Sequence, residues 1–158
     1  MKNGFSLIEL MVSIGIIGIL VSVATVVYPT YIARSQISST VLLLEAYVKK
    51  AESYYVENNT NNNGFIGISI ATLGDYIPGT NNNDIVNSIT ANPGSNSLTL
   101  TATFTTDNTK VSSNLAGNSL NLIITADTSG MFTISCNAPT ISPDYLPAMC
   151  KPDSPIVP

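Results

Sequence analysis

Gly4-Phe5-Ser6-Leu7-Ile8-Glu9-Leu10-Met11-Val12-Ser13-Ile14-Gly15-Ile16-Ile17-Gly18-Ile19-Leu20 is the stretch on which the reading of this chain turns. No charged residue occurs from Leu10 to Ala33. At about 1.5 Å per helical residue that segment reaches about 36 Å, enough for a hydrocarbon core of roughly 30 Å. The stretch therefore predicts a membrane-inserted helix. Inside its leading edge stands one carboxylate, Glu9. A charge in hydrocarbon costs about 2.5 to 3.5 kcal/mol at a helix centre and less toward an end, so Glu9 calls for a compensating cation. Two plainer readings explain part of this. A secretory signal peptide could be cut after the small-x-small triplet Ser22-Val23-Ala24, but Glu9 falls early in its apolar region and the helical pattern continues far past Ala24. A simple single-span anchor accounts for the length and leaves Glu9 uncompensated.

The fixed spacing of Gly4, Phe5, Glu9 and the long apolar run resembles the N-terminus of the short-leader type IV pilins, in which a brief polar leader ends in Gly and the mature chain begins with Phe. The resemblance implies a leader over residues 1–4 and a processing junction at Gly4-Phe5. It also implies a prepilin peptidase that cuts there and methylates the new amine of Phe5, and Glu9 as the assembly carboxylate. The charge chemistry agrees: the ammonium freed on Phe5 is a natural partner for Glu9, and in a low-dielectric bundle such a pair offsets the desolvation of both groups. The subunit would wait in the bacterial inner membrane, meet the assembly machinery there, and leave as part of a helical homopolymer, an extracellular pilus serving adhesion and twitching motility.

The chain has 158 residues, which leaves about 120 for one compact domain after the leader and span. Charged residues make up only 10% and the net charge is −4. With so few cations in an acidic chain, no phosphate-binding face is expected and no nucleic acid partner for the subunit alone. Cys136 and Cys150 are the only cysteines and enclose thirteen residues. In a chain that crosses a membrane once, they read as a disulfide formed in an oxidising compartment, with two buried free thiols as the alternative. Lys2 before the span and a disulfide after it place the N-terminus in the cytoplasm and the domain outside.

Small residues Ser13, Gly15, Gly18 and Ser22 interrupt the apolar run, a spacing that fits helix-on-helix packing but is also ordinary in spanning helices. Pro29 removes a backbone hydrogen bond, so a kink or local melting is expected near residues 25–29. Pilins of the short-leader class usually carry this proline at the position of Val26. Ile37, Val41, Leu44, Val48, Ala51 and Tyr55 then recur at steps of four and three, one buried face of a helix continuing to about Glu57. The expected spine is thus a helix over about 5–57, with 5–33 for membrane and filament core and 34–57 as an amphipathic half belonging to a head domain, 34–158. The Asn58–Gly64 run ends it; its sequon Asn58-Asn59-Thr60 reads as coincidence in an Asn-rich tract. Residues 65–83 are expected as an irregular connection with Ile66, Ile68 and Ile70 alternating, Leu73, Tyr76 and Ile77 in a small apolar cluster, and a turn at Pro78-Gly79.

From Asp84 the period becomes two. Ile85, Ile89 and Ala91 mark one strand, Leu98, Leu100, Ala102 and Phe104 a second, Leu120, Leu122, Ile124 and Ala126 a third, and Phe132, Ile134 and Cys136 a fourth after Asp127-Thr128-Ser129-Gly130. Four such strands with short connections predict an antiparallel meander covered on one face by the Ile37–Tyr55 stripe. The whole is an α+β chain that resembles the pilin fold, with a surface loop between the cysteines, rich in proline at 139, 143 and 147.

Catalytic constellations are not expected. No histidine is present to serve as a base, and Asp75, Asp84, Asp107, Asp127 and Asp144 all fall in or beside predicted turns. A calcium site at Asp84 and its Asn neighbours would lack any known loop spacing, so neither a metal nor a cofactor is expected. Three functional readings follow: the structural subunit of a type IV pilus, a minor pilin acting as adhesin or DNA-uptake receptor, and a type II secretion pseudopilin with the same N-terminal motif. The first fits best, because a cysteine-bounded loop looks more like a pilin than a major pseudopilin.

Overall fold

In the computed structural model, residues 6–58, 64–74 and 85–151 are described, and the account below is confined to them. Gly4, Phe5, the sequon residues Asn59 and Thr60, Asp75, Tyr76, Ile77, Pro78-Gly79 and Asp84 lie outside the described residues. The chain divides into two compact units, Met1–Ile32 and Ala33–Pro158.

Helix α1 runs from Leu7 to Asn58. Helical structure continues unbroken past Pro29, so the local melting expected there does not occur. A proline in mid-helix costs the one bond its missing N–H would have made, and the turns on either side can hold the rest.

In the second unit α1 carries its core on one face. Ala33, Ile37, Val41, Leu44, Tyr47, Val48, Ala51 and Tyr55 are buried, the stripe marked by the sequence plus Ala33 and Tyr47. Thr40 is the one buried polar side chain among the described residues, and its hydroxyl donates to the Gln36 carbonyl at 2.9 Å, which removes the cost of an unmet donor.

Against this face lies a four-stranded antiparallel sheet in the order β1-β2-β3-β4, with β1 at Val86–Pro93, β2 at Ser97–Phe104, β3 at Ser119–Ala126 and β4 at Phe132–Asn137. Alternation is strict in the two central strands: Leu98, Leu100, Ala102 and Phe104 of β2, and Leu120, Leu122, Ile124 and Ala126 of β3, are all buried. In β4 the inward residues Phe132, Ile134 and Cys136 are half-buried, as an edge position leaves them.

Strand β1 departs from the expected alternation. Val86 faces Phe104 and Ser88 faces Thr103, so one extra residue is accommodated between them. Such a bulge reverses the phase. Val86 and Ile89 are both buried, whereas Ile85 and Ala91, which simple alternation placed inside, are only half-buried.

Three connections differ from expectation. Residues 65–83 were read as irregular, but Ile70–Leu73 form a short helix, α2, whose N-cap Ser69 accepts from the Thr72 amide while the Thr72 hydroxyl accepts from the Ser69 amide. Ile68 and Leu73 are buried there, while Ile66 is exposed. The β2–β3 connection spans residues 105–118 rather than a short turn, and it buries Val111 and Leu115. The cysteine-bounded segment is not merely a surface loop: Ala138, Ile141, Leu146 and Cys150 are buried in the core, and Ala148–Cys150 form a single 3-10 turn. Cys136 and Cys150 are joined in a disulfide.

Candidate assembly site

Among the described residues, nothing covers the apolar helix surface of the first unit. The large apolar side chains from Leu7 to Tyr31 are exposed, and an 18-residue window of mean hydropathy 2.6 has none of its residues buried. By length and composition the helix could cross a membrane. Three of its hydroxyls are directed at its own backbone. Ser13 donates to the Glu9 carbonyl at 2.7 Å, Ser22 to the Ile19 carbonyl at 2.7 Å and Thr25 to the Ser22 carbonyl at 3.0 Å. Each satisfies its donor without water, the condition that hydrocarbon imposes. Gly15 and Gly18 have open space where a Cβ would stand, so among the described residues none uses their lack of a side chain.

Glu9 sits in the first turn of α1 with its amide bonded to the Ser6 carbonyl at 3.1 Å, and its residue is exposed. The proposed partner of its carboxylate, the Phe5 amine, and the Gly4-Phe5 junction itself fall outside the described residues. The structure thus places Glu9 at the entrance of the helix and leaves its pairing with Phe5 as an expectation.

Arg34 and Gln36 tie α1 to the rest of the head, a role that the sequence did not announce. The Arg34 Nε donates to the Asp144 carbonyl at 2.9 Å, tying the cysteine-bounded segment to α1. Gln36 grips the β2–β3 connection twice: its Nε2 donates to the Lys110 carbonyl at 3.1 Å and its Oε1 accepts from the Ser112 amide at 2.9 Å. The only sequence signal for this second element was Val111 and Leu115, four apart in a polar stretch. The cysteines, singled out as a pair, are brought together. The disulfide and the Arg34 bond hold the C-terminal segment at two places.

Chemistry is sparse elsewhere. Among the described residues no group of three or more His, Cys, Asp or Glu is placed to hold a metal ion. The strands β1 to β4 contain no charged residue at all. Asp107 and Asp127 are turn residues: the Thr109 hydroxyl at 2.6 Å caps the first, and the Ser129 hydroxyl at 2.6 Å with the Met131 amide at 2.9 Å caps the second.

This architecture defines a class of protein: a subunit with a small α+β head and an apolar helix that lipid or other chains must cover. The comparisons agree with it. Residues 33–151 match the Pilin (bacterial filament) family and residues 1–25 the prokaryotic N-terminal methylation motif. Similar proteins include the fimbrial protein EcpC of Eikenella corrodens, 32% identical over 152 residues that cover 95% of this chain and 91% of the relative. A fimbrial protein of Neisseria meningitidis serogroup A is 38% identical over 81 residues, 49% of this chain and 48% of that one. The type IV major pilin protein PilE1 of Neisseria gonorrhoeae is 43% identical over 67 residues, 39% of this chain and 41% of the relative. The chain belongs to the type IV pilin family, as a structural subunit.

Proposed function

We propose that this chain is the repeating subunit of a type IV pilus, matured by a prepilin peptidase at Gly4-Phe5 and polymerised through its N-terminal helix. Residues 1–4 are the leader and residues 5–33 serve first as membrane anchor, then as filament core. One observation supports this reading: a helix from Leu7 onward whose apolar surface is exposed and whose Ser13, Ser22 and Thr25 hydroxyls bond its own backbone, in a chain whose residues 1–25 match the methylation motif. Exposed apolar surface on this scale has two natural solvents, hydrocarbon before assembly and other copies of the helix after it. In the fibre Glu9 pairs with the methylated Phe5 amine of its own or a neighbouring chain, since no Lys or Arg lies between Phe5 and Arg34.

Assembly occurs at the inner membrane with the pilus machinery, and the product serves surface adhesion and twitching motility. Mass analysis of sheared surface filaments tests the proposal. The expected N-terminus is methylated Phe5, and Gly4→Arg leaves an uncut precursor in the membrane. A mature N-terminus at Thr25 would make the segment an ordinary signal peptide and overturn the reading.

A further inference from the structure

The sheet turns one face to α1 and the core, and its other face carries polar side chains that the chain itself does not use. In β2 and β3 the residues that alternate with the buried set point away from the core. Thr90, Thr101, Asn121 and Asn137 face one another in a row across all four strands, and Thr99 and Thr103 flank Thr101 along β2. Ile123 is the one apolar side chain that β2 and β3 present on this side. None of these Thr and Asn side chains makes a hydrogen bond among the described residues. Elsewhere in the head the hydroxyls of Thr40, Thr72, Thr109 and Ser129 are all bonded. Asn121 stands out further, because its Oδ1 is buried and has no hydrogen-bond partner. An acceptor left so lacks the bond that would offset its desolvation.

The face is also without charge. A sheet surface that meets only water ordinarily carries charged side chains, above all on its edge strands. Here neither the central strands nor the edges have one. These properties decide what the face suits. A nucleic acid needs cations, a protein partner needs aromatic or apolar anchors, and a lipid surface needs apolar or cationic groups. An uncharged polymer whose own groups both donate and accept hydrogen bonds needs none of these, and that is the chemistry of a neutral polysaccharide.

We propose that the outward face of the sheet, centred on Thr101 and Asn121, binds an uncharged polysaccharide. The inference rests on the adhesive role proposed above and gives it a surface and a ligand class. Same-face neighbours lie about 6.7 Å apart along a strand and about 4.8 Å apart across strands, so the polar groups form an open lattice and not a pocket. A sugar chain laid on it meets Thr hydroxyls that donate and accept, and the Asn121 Oδ1 receives the donor it lacks. Each hydrogen bond to a neutral ligand changes affinity by about two- to tenfold, so one head binds weakly and many heads on one fibre bind together.

The test uses the full-length chain dispersed in a detergent without a sugar headgroup. The protein is passed over columns of immobilised dextran, mannan and galactan, with heparin as the charged comparison. Delayed elution is expected on at least one neutral column, equal at low and high salt because no charge takes part. Thr101→Val and Thr103→Val keep shape and strand preference and remove one hydroxyl each, and each should weaken retention about two- to tenfold. Thr101→Ser keeps a hydroxyl and should retain binding, and Ser53→Ala, at an exposed position on α1, should elute as the wild type does. Passage through all three neutral columns without delay, retention that salt abolishes, or full retention of both Val variants overturns the proposal. Filaments play no part in the measurement. A chain that is retained but never polymerises would therefore leave this proposal standing and strike the proposed assembly, and filaments of a chain that is not retained would do the opposite.

Discussion

Gly64 shows how one residue can fix a turn. Its positive φ suits a residue without a Cβ, and the Ser95 carbonyl occupies the place a Cβ would take. Gly64→Ala is expected to destabilise the head by about 2 kcal/mol or more, because both backbone strain and a collision with backbone must be relieved. Urea unfolding of the detergent-solubilised subunit measures it. Asp127 acts through its charge. The Ser129 hydroxyl first, then the Met131 amide, hold its carboxyl below the ordinary carboxylate range, and the Thr109 hydroxyl and amide do the same for Asp107. A carboxylate with a lowered folded-state pKa contributes stability that is complete above its unfolded value, near 3.8, and is lost as the pH falls through the folded value. Stability should therefore decline as the pH drops below about 4, and Asp127→Asn should flatten that decline. An unchanged acid limb in the variant would remove Asp127 from this account.

At the scale of elements, the parts with a regular period were legible and the parts set by distant partners were not. The Ile37–Tyr55 stripe keeps the 3.6 period of a helix with one buried face, and β2 and β3 alternate without a fault, so these elements and their inward residues followed from spacing alone. Strand β1 broke the rule because a bulge is a property of the pairing and not of the strand: nothing in Ile85-Val86-Asn87-Ser88 says that Phe104 and Thr103 will face Val86 and Ser88. The hold of Gln36 on Lys110 and Ser112 joins residues more than seventy positions apart and has no local signature. Of the candidate site, Glu9 stands out in the sequence as a lone charge before an apolar run, and the cysteines as an isolated pair, which the structure joins. The disulfide closes β4 onto the 3-10 turn at Ala148–Cys150, around a segment that supplies three further core side chains. Cys136→Ser is expected to cost about 3 kcal/mol, the loop-closure value for a ring of this size. Thermal unfolding of the variant measures that loss. Thiol labelling of unreduced, denatured wild-type subunits should find no free thiol.

The whole molecule is organised around one helix with two kinds of surface. Its second half is covered by the sheet it helped to predict, and its first half is exposed among the described residues. The charge at the start of that half calls for a cation, and the proposed one is the Phe5 amine of the same or a neighbouring chain. If Glu9 is the assembly carboxylate proposed above, Glu9→Val removes the buried-charge penalty and should favour residence in the membrane, while depriving the fibre of a group that sets axial register. The variant subunit should be cut and stable yet largely absent from surface filaments when it is the only subunit expressed. Filament counts by electron microscopy decide the matter, and normal numbers of normal length would show that Glu9 does not direct assembly.

The charge-free sheet has a further consequence, for digestion. Between Lys50 and Lys151 the only basic residue is Lys110, so a protease that cuts after lysine or arginine has one target across the entire meander. That target is guarded: its carbonyl is bound by Gln36 and its ammonium lies 3.6 Å from the Asp107 carboxylate. The cut, once made, would fall between β2 and β3, upstream of both cysteines. No covalent bond would then join the two fragments, and the β2–β3 ladder and the shared core alone would keep a nicked head together.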